Sequence, residues 1–128
     1  MTLLAFEPET EIERRILEAR AGRYSPDALI LELAGSELCI PSNAAVRDGW
    51  QGYAPVILEQ NGIPFVAVFT APWRQTRDFA EHLLRADGAS FFLRLPPGYG
   101  VIFNPGYDAQ ILLPPDGAAQ LKRDLPKA

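Results

Sequence analysis

Val56-Ile57-Leu58-Glu59-Gln60-Asn61-Gly62-Ile63-Pro64-Phe65-Val66-Ala67-Val68-Phe69 is the stretch on which the fold turns. Two apolar runs, Val56–Gln60 and Ile63–Phe69, flank Asn61-Gly62. Asn-Gly is the strongest short hairpin signal, because both central residues of the favoured turn need positive φ and both tolerate it. Pro64 sits near the start of its strand, where a missing N–H donor is harmless. A hairpin in mid-chain argues for an α+β domain and against a doubly wound parallel sheet.

Upstream, the pattern is helical. Thr10 and Glu13 have capping-box spacing, and Ile12, Ile16 and Leu17 then share one face of a helix over 11–21 that stops at Gly22. Glu11 and Arg15, one turn apart, can pair. Ser25 as cap and Pro26 as first residue open a second helix, apolar over Ala28–Ala34 except for Glu32, and ended by Gly35. A short strand, Glu37–Ile40, stops at Pro41. Ser42–Tyr53 has no period and reads as a loop.

Downstream, a third helix is expected over about Thr76–Ala86, with Phe79, Leu83 and Ala86 on one face and Gly88 as its stop. Ser90–Leu95 then reads as a strand broken by Pro96-Pro97-Gly98. Strands at Val101–Phe103 and Ala109–Leu113 flank the turn Asn104-Pro105-Gly106. A last helix spans about Asp116–Leu125, after Pro114-Pro115. The expected order is ααβββαβββα: one domain over 1–128, with a curved, mixed or antiparallel sheet of about five to six strands and about four helices on one side. Residues 1–6 and 126–128 are expected to fray.

The 128 residues suit one domain, and the 48% apolar and 22% charged shares are those of a globular chain. Apolar runs such as Phe65–Ala71 fall far below the roughly twenty residues a membrane helix needs. The opening carries Glu7, Glu9, Glu11 and Glu13 in place of a basic leader, and the single cysteine suits a reducing compartment. A cytoplasmic protein of bacterial character is therefore expected. Twelve cations against 16 acids give a net charge of −4, which has no general attraction for nucleic acid but can steer a basic protein partner.

The ordered blocks also carry a likeness. The acidic helix Glu11–Ala21 and the apolar helix lead into Ser36-Glu37-Leu38-Cys39-Ile40-Pro41. The hairpin ends in Val68-Phe69-Thr70-Ala71, then come Gly100-Val101-Ile102-Phe103-Asn104-Pro105-Gly106 and Ile111-Leu112-Leu113-Pro114. Over residues 7–124 this set resembles the SseB N-terminal domain family. Longer members carry a second, C-terminal domain, and the 128 residues here are expected to correspond to the first domain alone. The start of the middle segment, Pro72-Trp73-Arg74, and the short Pro96–Gly98 stretch also depart from the family's pattern. The resemblance implies a loose link to secretion and to serine sensitivity, with no catalytic residue to carry over. Stand-alone domains of such small families also occur as inhibitors beside toxin genes.

Chemistry-bearing residues are few. His82 has no nucleophile close in sequence. Cys39 sits between Leu38 and Ile40 as a small buried hydrophobe, without the cation or helix N-terminus that activates a thiol. One His and one Cys cannot build a structural zinc site. The acidic run Glu7–Glu13 reads as a solvated face that suits the helix dipole. Neither Gly49–Gly52 nor Gly98-Tyr99-Gly100 has a phosphate loop's Gly-Lys-Ser/Thr ending. The aromatic and arginine side chains of loops and turns are the more informative set, because Trp, Tyr and Arg dominate binding hot spots. Trp50, Tyr53, Trp73, Arg74, Tyr99 and Tyr107 are the candidate partner-binding residues. The expected function is non-catalytic: an immunity-type inhibitor that binds and blocks a cognate protein, such as a toxin with a basic cleft, without metal, cofactor, nucleic acid or membrane. Alternatives are an accessory protein or scaffold of a secretion or regulatory system, and a small metabolite-binding domain or enzyme with polar groups converging around Asn104, Thr70 and Arg94.

Overall fold

In the computed structural model, residues 3–75 and 79–125 are described. They form a single α+β domain in the order α1 (Glu11–Arg20), α2 (Pro26–Ala34), β1 (Glu37–Ser42), β2 (Ile57–Gln60), β3 (Ile63–Val68), β4 (His82–Asp87), α3 (Gly88–Arg94), β5 (Gly100–Phe103), β6 (Ile111–Leu113) and α4 (Pro115–Asp124). Short 3-10 turns at Asp48–Trp50 and Pro72–Arg74 punctuate the loops.

The hairpin forms as read. Asn61 and Gly62 take φ of 52° and 80°, and β2 pairs antiparallel with β3 in the register Gln60↔Ile63. β3 then pairs in parallel with β5, and β5 antiparallel with β6, giving a four-stranded sheet of order β2-β3-β5-β6. β1 and β4 make a separate antiparallel pair. A backbone bridge joins the sheets, with Cys39 N donating to Phe69 O at 2.9 Å and Phe69 N to Cys39 O at 2.7 Å. Two bridged sheets thus replace the one continuous sheet expected.

Helix starts follow the capping signals. Thr10 Oγ1 accepts from Glu13 N at 3.2 Å, and Ser25 Oγ from Ala28 N at 3.3 Å. All four helices lie over one layer, where Ile16, Leu29, Leu33, Phe92, Ala118 and Leu121 meet Leu38, Ile40, Val68, Val101 and Phe103. Phe65, Ala67 and Ile102 fill a smaller cluster on the opposite face of the four-stranded sheet.

Two expected elements exchange type. Residues 82–86 belong to β4, not to a helix over Thr76–Ala86, and Thr76, Arg77 and Asp78 lie outside the described residues. The Phe79, Leu83, Ala86 spacing fits a helix, but β1 needs a partner. β4 satisfies its backbone over six paired positions, from Glu37↔Asp87 to Ser42↔His82. Ser90–Leu95, expected as a strand, lies largely in α3, because Asp87 caps it through Oδ2, which accepts from Ser90 N at 2.9 Å. The resulting order is ααββββαββα. Within the stretch 1–6 that was expected to fray, Leu4 and Phe6 are tied down, and residues 1–2 lie outside the described residues. Leu4 exchanges backbone bonds with Gly106 and Asp108, and Phe6 is buried. Residues 126–128 lie outside the described residues.

Candidate functional site

The six candidate binding residues separate into three places. Arg74 and Tyr107 are buried, at 5% and 7% exposure, and are corrected from contact residues to core groups. The reason is Glu13, also expected in solvent but 0% exposed. Its carboxylate accepts from Arg74 Nη2 at 2.7 Å, Arg74 Nε at 2.9 Å, Thr70 Oγ1 at 2.5 Å and Glu9 N at 2.9 Å. The second half of a capping box, a bond back to the cap residue, is thereby redirected to Arg74. Arg74 also donates to the Glu7 carbonyl, stacks over the Phe6 ring at 4.3 Å, and accepts at its own carbonyl from the Tyr107 hydroxyl at 2.8 Å. Burial alone pushes the Glu13 carboxyl up, but these donors outweigh it and hold the group below its ordinary 4.5.

Thr70 and Asn104 belong to the same network. Asn104 Nδ2 donates to Thr70 Oγ1 at 3.1 Å, and Asn104 Oδ1 accepts from Thr70 N at 3.1 Å. The polar pocket considered around Asn104, Thr70 and Arg94 therefore does not form. The first two are buried and satisfied by each other and by Glu13, while Arg94 is exposed and lies over Trp50. This closed network ties α1 and the start of the chain to the ends of β3 and β5.

Trp73 is 59% exposed and lines neither of the two cavities described below. Trp50, Tyr53 and Tyr99 do gather on one face. Trp50 packs edge-on against Tyr53 with ring centroids 5.4 Å apart, and the Arg94 guanidinium lies 4.8 Å from the Trp50 centroid. Trp50 holds this place at φ 67°, a left-handed backbone that costs a side-chain-bearing residue about 1–2 kcal/mol. Its loop closes through Arg47 N, which donates to Gln51 O at 2.7 Å.

Beside this cluster lies a groove of about 660 Å³. One wall is the end of α3 and the loop after it, with Leu93, Leu95, Pro96, Pro97 and Tyr99. The other is one face of α4, with Pro115, Ala118, Ala119, Lys122 and Arg123. The two prolines suit an exposed wall because they leave no N–H unpaired. Lys122 Nζ donates to Leu95 O at 2.5 Å and braces one wall against the other. A cavity of about 30 Å³ adjoins the groove, sharing Leu95 and Pro96 and completed by Trp50, Tyr53, Pro55, Val66, Phe91 and Arg94. The Tyr53 hydroxyl is buried with no hydrogen-bond partner among the described residues, and burial pushes its phenol pKa up. Of the residues lining the two cavities, the sequence reading named Trp50, Tyr53 and Tyr99 and none from α4. The missed signal is the run Ala118, Ala119, Lys122, Arg123, which falls on one side of a helix.

The remaining chemistry-bearing groups sit elsewhere. Cys39 is a buried free thiol in β1, and burial pushes it up to about 11, so it is not an activated thiolate. His82 lies in β4, opposite Ser42 and not in mid-helix, with Nε2 3.8 Å from Glu81 Oε2. Among the described residues no group of three His, Cys, Asp or Glu side chains could hold a metal ion, and no helix is long and apolar enough to cross a membrane. No protein-family model, curated protein or solved structure matches the chain.

Proposed function

We propose that this chain is a non-catalytic protein-binding domain of the cytoplasm, and that in its concrete form it is an immunity-type inhibitor that holds and blocks one cognate protein. The observation that carries this reading is the groove between the Leu93–Tyr99 segment and α4, continuous with the Trp50–Tyr53–Arg94 cluster. It is preformed, mostly apolar, and bordered by the residue types that anchor protein interfaces. The buried free thiol of Cys39 suits a reducing compartment.

Blocking by surface contact needs shape and anchors, not a reacting group. The most polar cluster in the core, Glu13–Arg74–Thr70–Asn104, already spends its hydrogen bonds internally. An accessory role in a secretion or regulatory system would use the same face. The two readings separate by what is caught. Pull-down from native cells with the intact chain is expected to recover one dominant protein, lost with Ala119→Trp, which fills the groove. The inhibitor reading requires that adding the chain abolish an activity of that protein. A captured protein whose activity is untouched favours the accessory role, and turnover of a small molecule by the pure chain would defeat both.

A further inference from the structure

The sign of charge around the groove is the reverse of that of the whole molecule. The chain carries 16 acids against 12 cations, yet the two adjoining cavities are lined by Arg94, Lys122 and Arg123 and by no carboxylate. None of these three cations is in an ion pair among the described residues, a state they share with Arg20, Arg23 and Arg47; what sets them apart is that they line adjoining cavities. Arg94 spends one N–H on Ser90 O at 3.3 Å, Lys122 one on Leu95 O at 2.5 Å, and Arg123 one on Gln120 Oε1 at 2.6 Å. Each keeps further donors. The Tyr53 hydroxyl adds another donor, buried and without an acceptor, in a residue that lines the same small cavity as Arg94.

Resting on the protein-binding reading above, we infer that the occupant of this face is a segment of the partner protein that combines apolar side chains with a carboxylate. The apolar side chains lie in the groove against Leu93, Leu95, Tyr99 and Ala119. The carboxylate seats at the Trp50 end, taking a hydrogen bond from Tyr53 and a charge-assisted one from Arg94. A hydroxyl without an acceptor and a guanidinium without a counter-charge line one small cavity, and together they define what must arrive. A carboxylate brings two acceptor oxygens and the matching charge, and its bonds to a guanidinium are about twice as strong as neutral ones. The small cavity, at about 30 Å³, has room for one water in the free protein and for one carboxylate oxygen in its place. Lys122 and Arg123 mark the far rim, where a second acid on the segment gains by charge alone. A basic segment meets three cations and a lining without carboxylates, and is disfavoured on the same ground.

The test is selection from a displayed library of random dodecapeptides on the intact chain, followed by calorimetry with the enriched peptides. Enriched sequences are expected to carry Asp, Glu or a free C-terminus beside apolar residues. Their affinity is expected to fall about tenfold or more with Arg94→Gln, and also with Tyr53→Phe, which keeps the ring. Amidating the peptide's C-terminus tells a terminal carboxylate from a side-chain one. Enriched peptides that are neutral or basic, or whose affinity survives neutralisation of their acids, overturn the inferred chemistry. If Ala119→Trp still abolishes their binding, the docking face itself stands. Peptides that bind Ala119→Trp and Trp50→Ala as well as the native chain, or a failure to enrich any, overturn the face and the chemistry together. An unchanged melting temperature of each variant excludes loss by unfolding.

Discussion

Glu13 and Tyr53 are both largely buried and differ in whether they are satisfied. Glu13 has four donors around its carboxylate. Breaking such a buried pair from one side leaves a charge without its counter-charge, so Arg74→Met is expected to cost about 3–5 kcal/mol in urea denaturation. Adding Glu13→Leu is expected to recover part of that loss. The pH dependence has a definite sign. Because the folded carboxyl titrates below its unfolded value of 4.5, its contribution is complete above 4.5 and is lost as pH falls through the lowered folded value. Acid titration of Glu13→Gln should lack that part of the slope. Tyr53 is the reverse case. Its buried hydroxyl has no protein partner among the described residues, so Tyr53→Phe should leave stability unchanged or raise it by up to about 1 kcal/mol, while weakening partner binding. A fall in stability would mean that the hydroxyl is satisfied in the free protein. Trp73, exposed and outside both cavities, should move neither melting nor binding when truncated, with stability within about 0.5 kcal/mol of native.

At the scale of elements, α3 is the piece on which the site depends, since its C-terminal end carries Arg94 and leads into the Pro96-Pro97 wall. It is only seven residues long, so its own propensity cannot hold it. The Asp87 cap starts it, and Phe91 and Phe92 anchor it in the core. Gly88 lets it approach α2, because a Cβ there would lie 2.2 Å from the Leu33 carbonyl oxygen. Gly88→Ala is therefore expected to cost about 1–3 kcal/mol by chemical denaturation, and to weaken binding by displacing the groove's wall. β4 and α3 are also where sequence reading failed. Leu83, Leu84 and Ala86 suit a strand as well as a helix, and the deciding fact, that β1 would otherwise lack a partner, lies more than forty residues away in the register Glu37↔Asp87.

For the whole molecule, the net charge of −4 and the cationic lining of the groove act at different ranges. The overall field governs encounter and fades beyond about 10 Å at ordinary salt, while the lining acts at contact. Arg123→Gln, on an exposed rim, is expected to slow association with an acidic peptide and flatten its dependence on salt, with no change in melting temperature. A larger effect on dissociation than on association would place Arg123 inside the contact. The groove itself joins segments from α3, the loop before β5, and α4, brought together because every helix packs on the same layer of the core.

Local signals in the sequence determined the hairpin at Asn61-Gly62, the starts of α1 and α2, the apolar strands β3 and β5 and the α+β class. Each is legible because turn sterics, side-chain caps and alternating burial act over a few residues. Only the tertiary structure decided that 82–87 is a strand and 88–94 a helix, that Glu13, Arg74 and Tyr107 are interior, and that Trp50 shares a face with α4. These depend on partners distant along the chain, and the free energy of pairing a backbone or neutralising a buried charge exceeds any local preference of the residues involved.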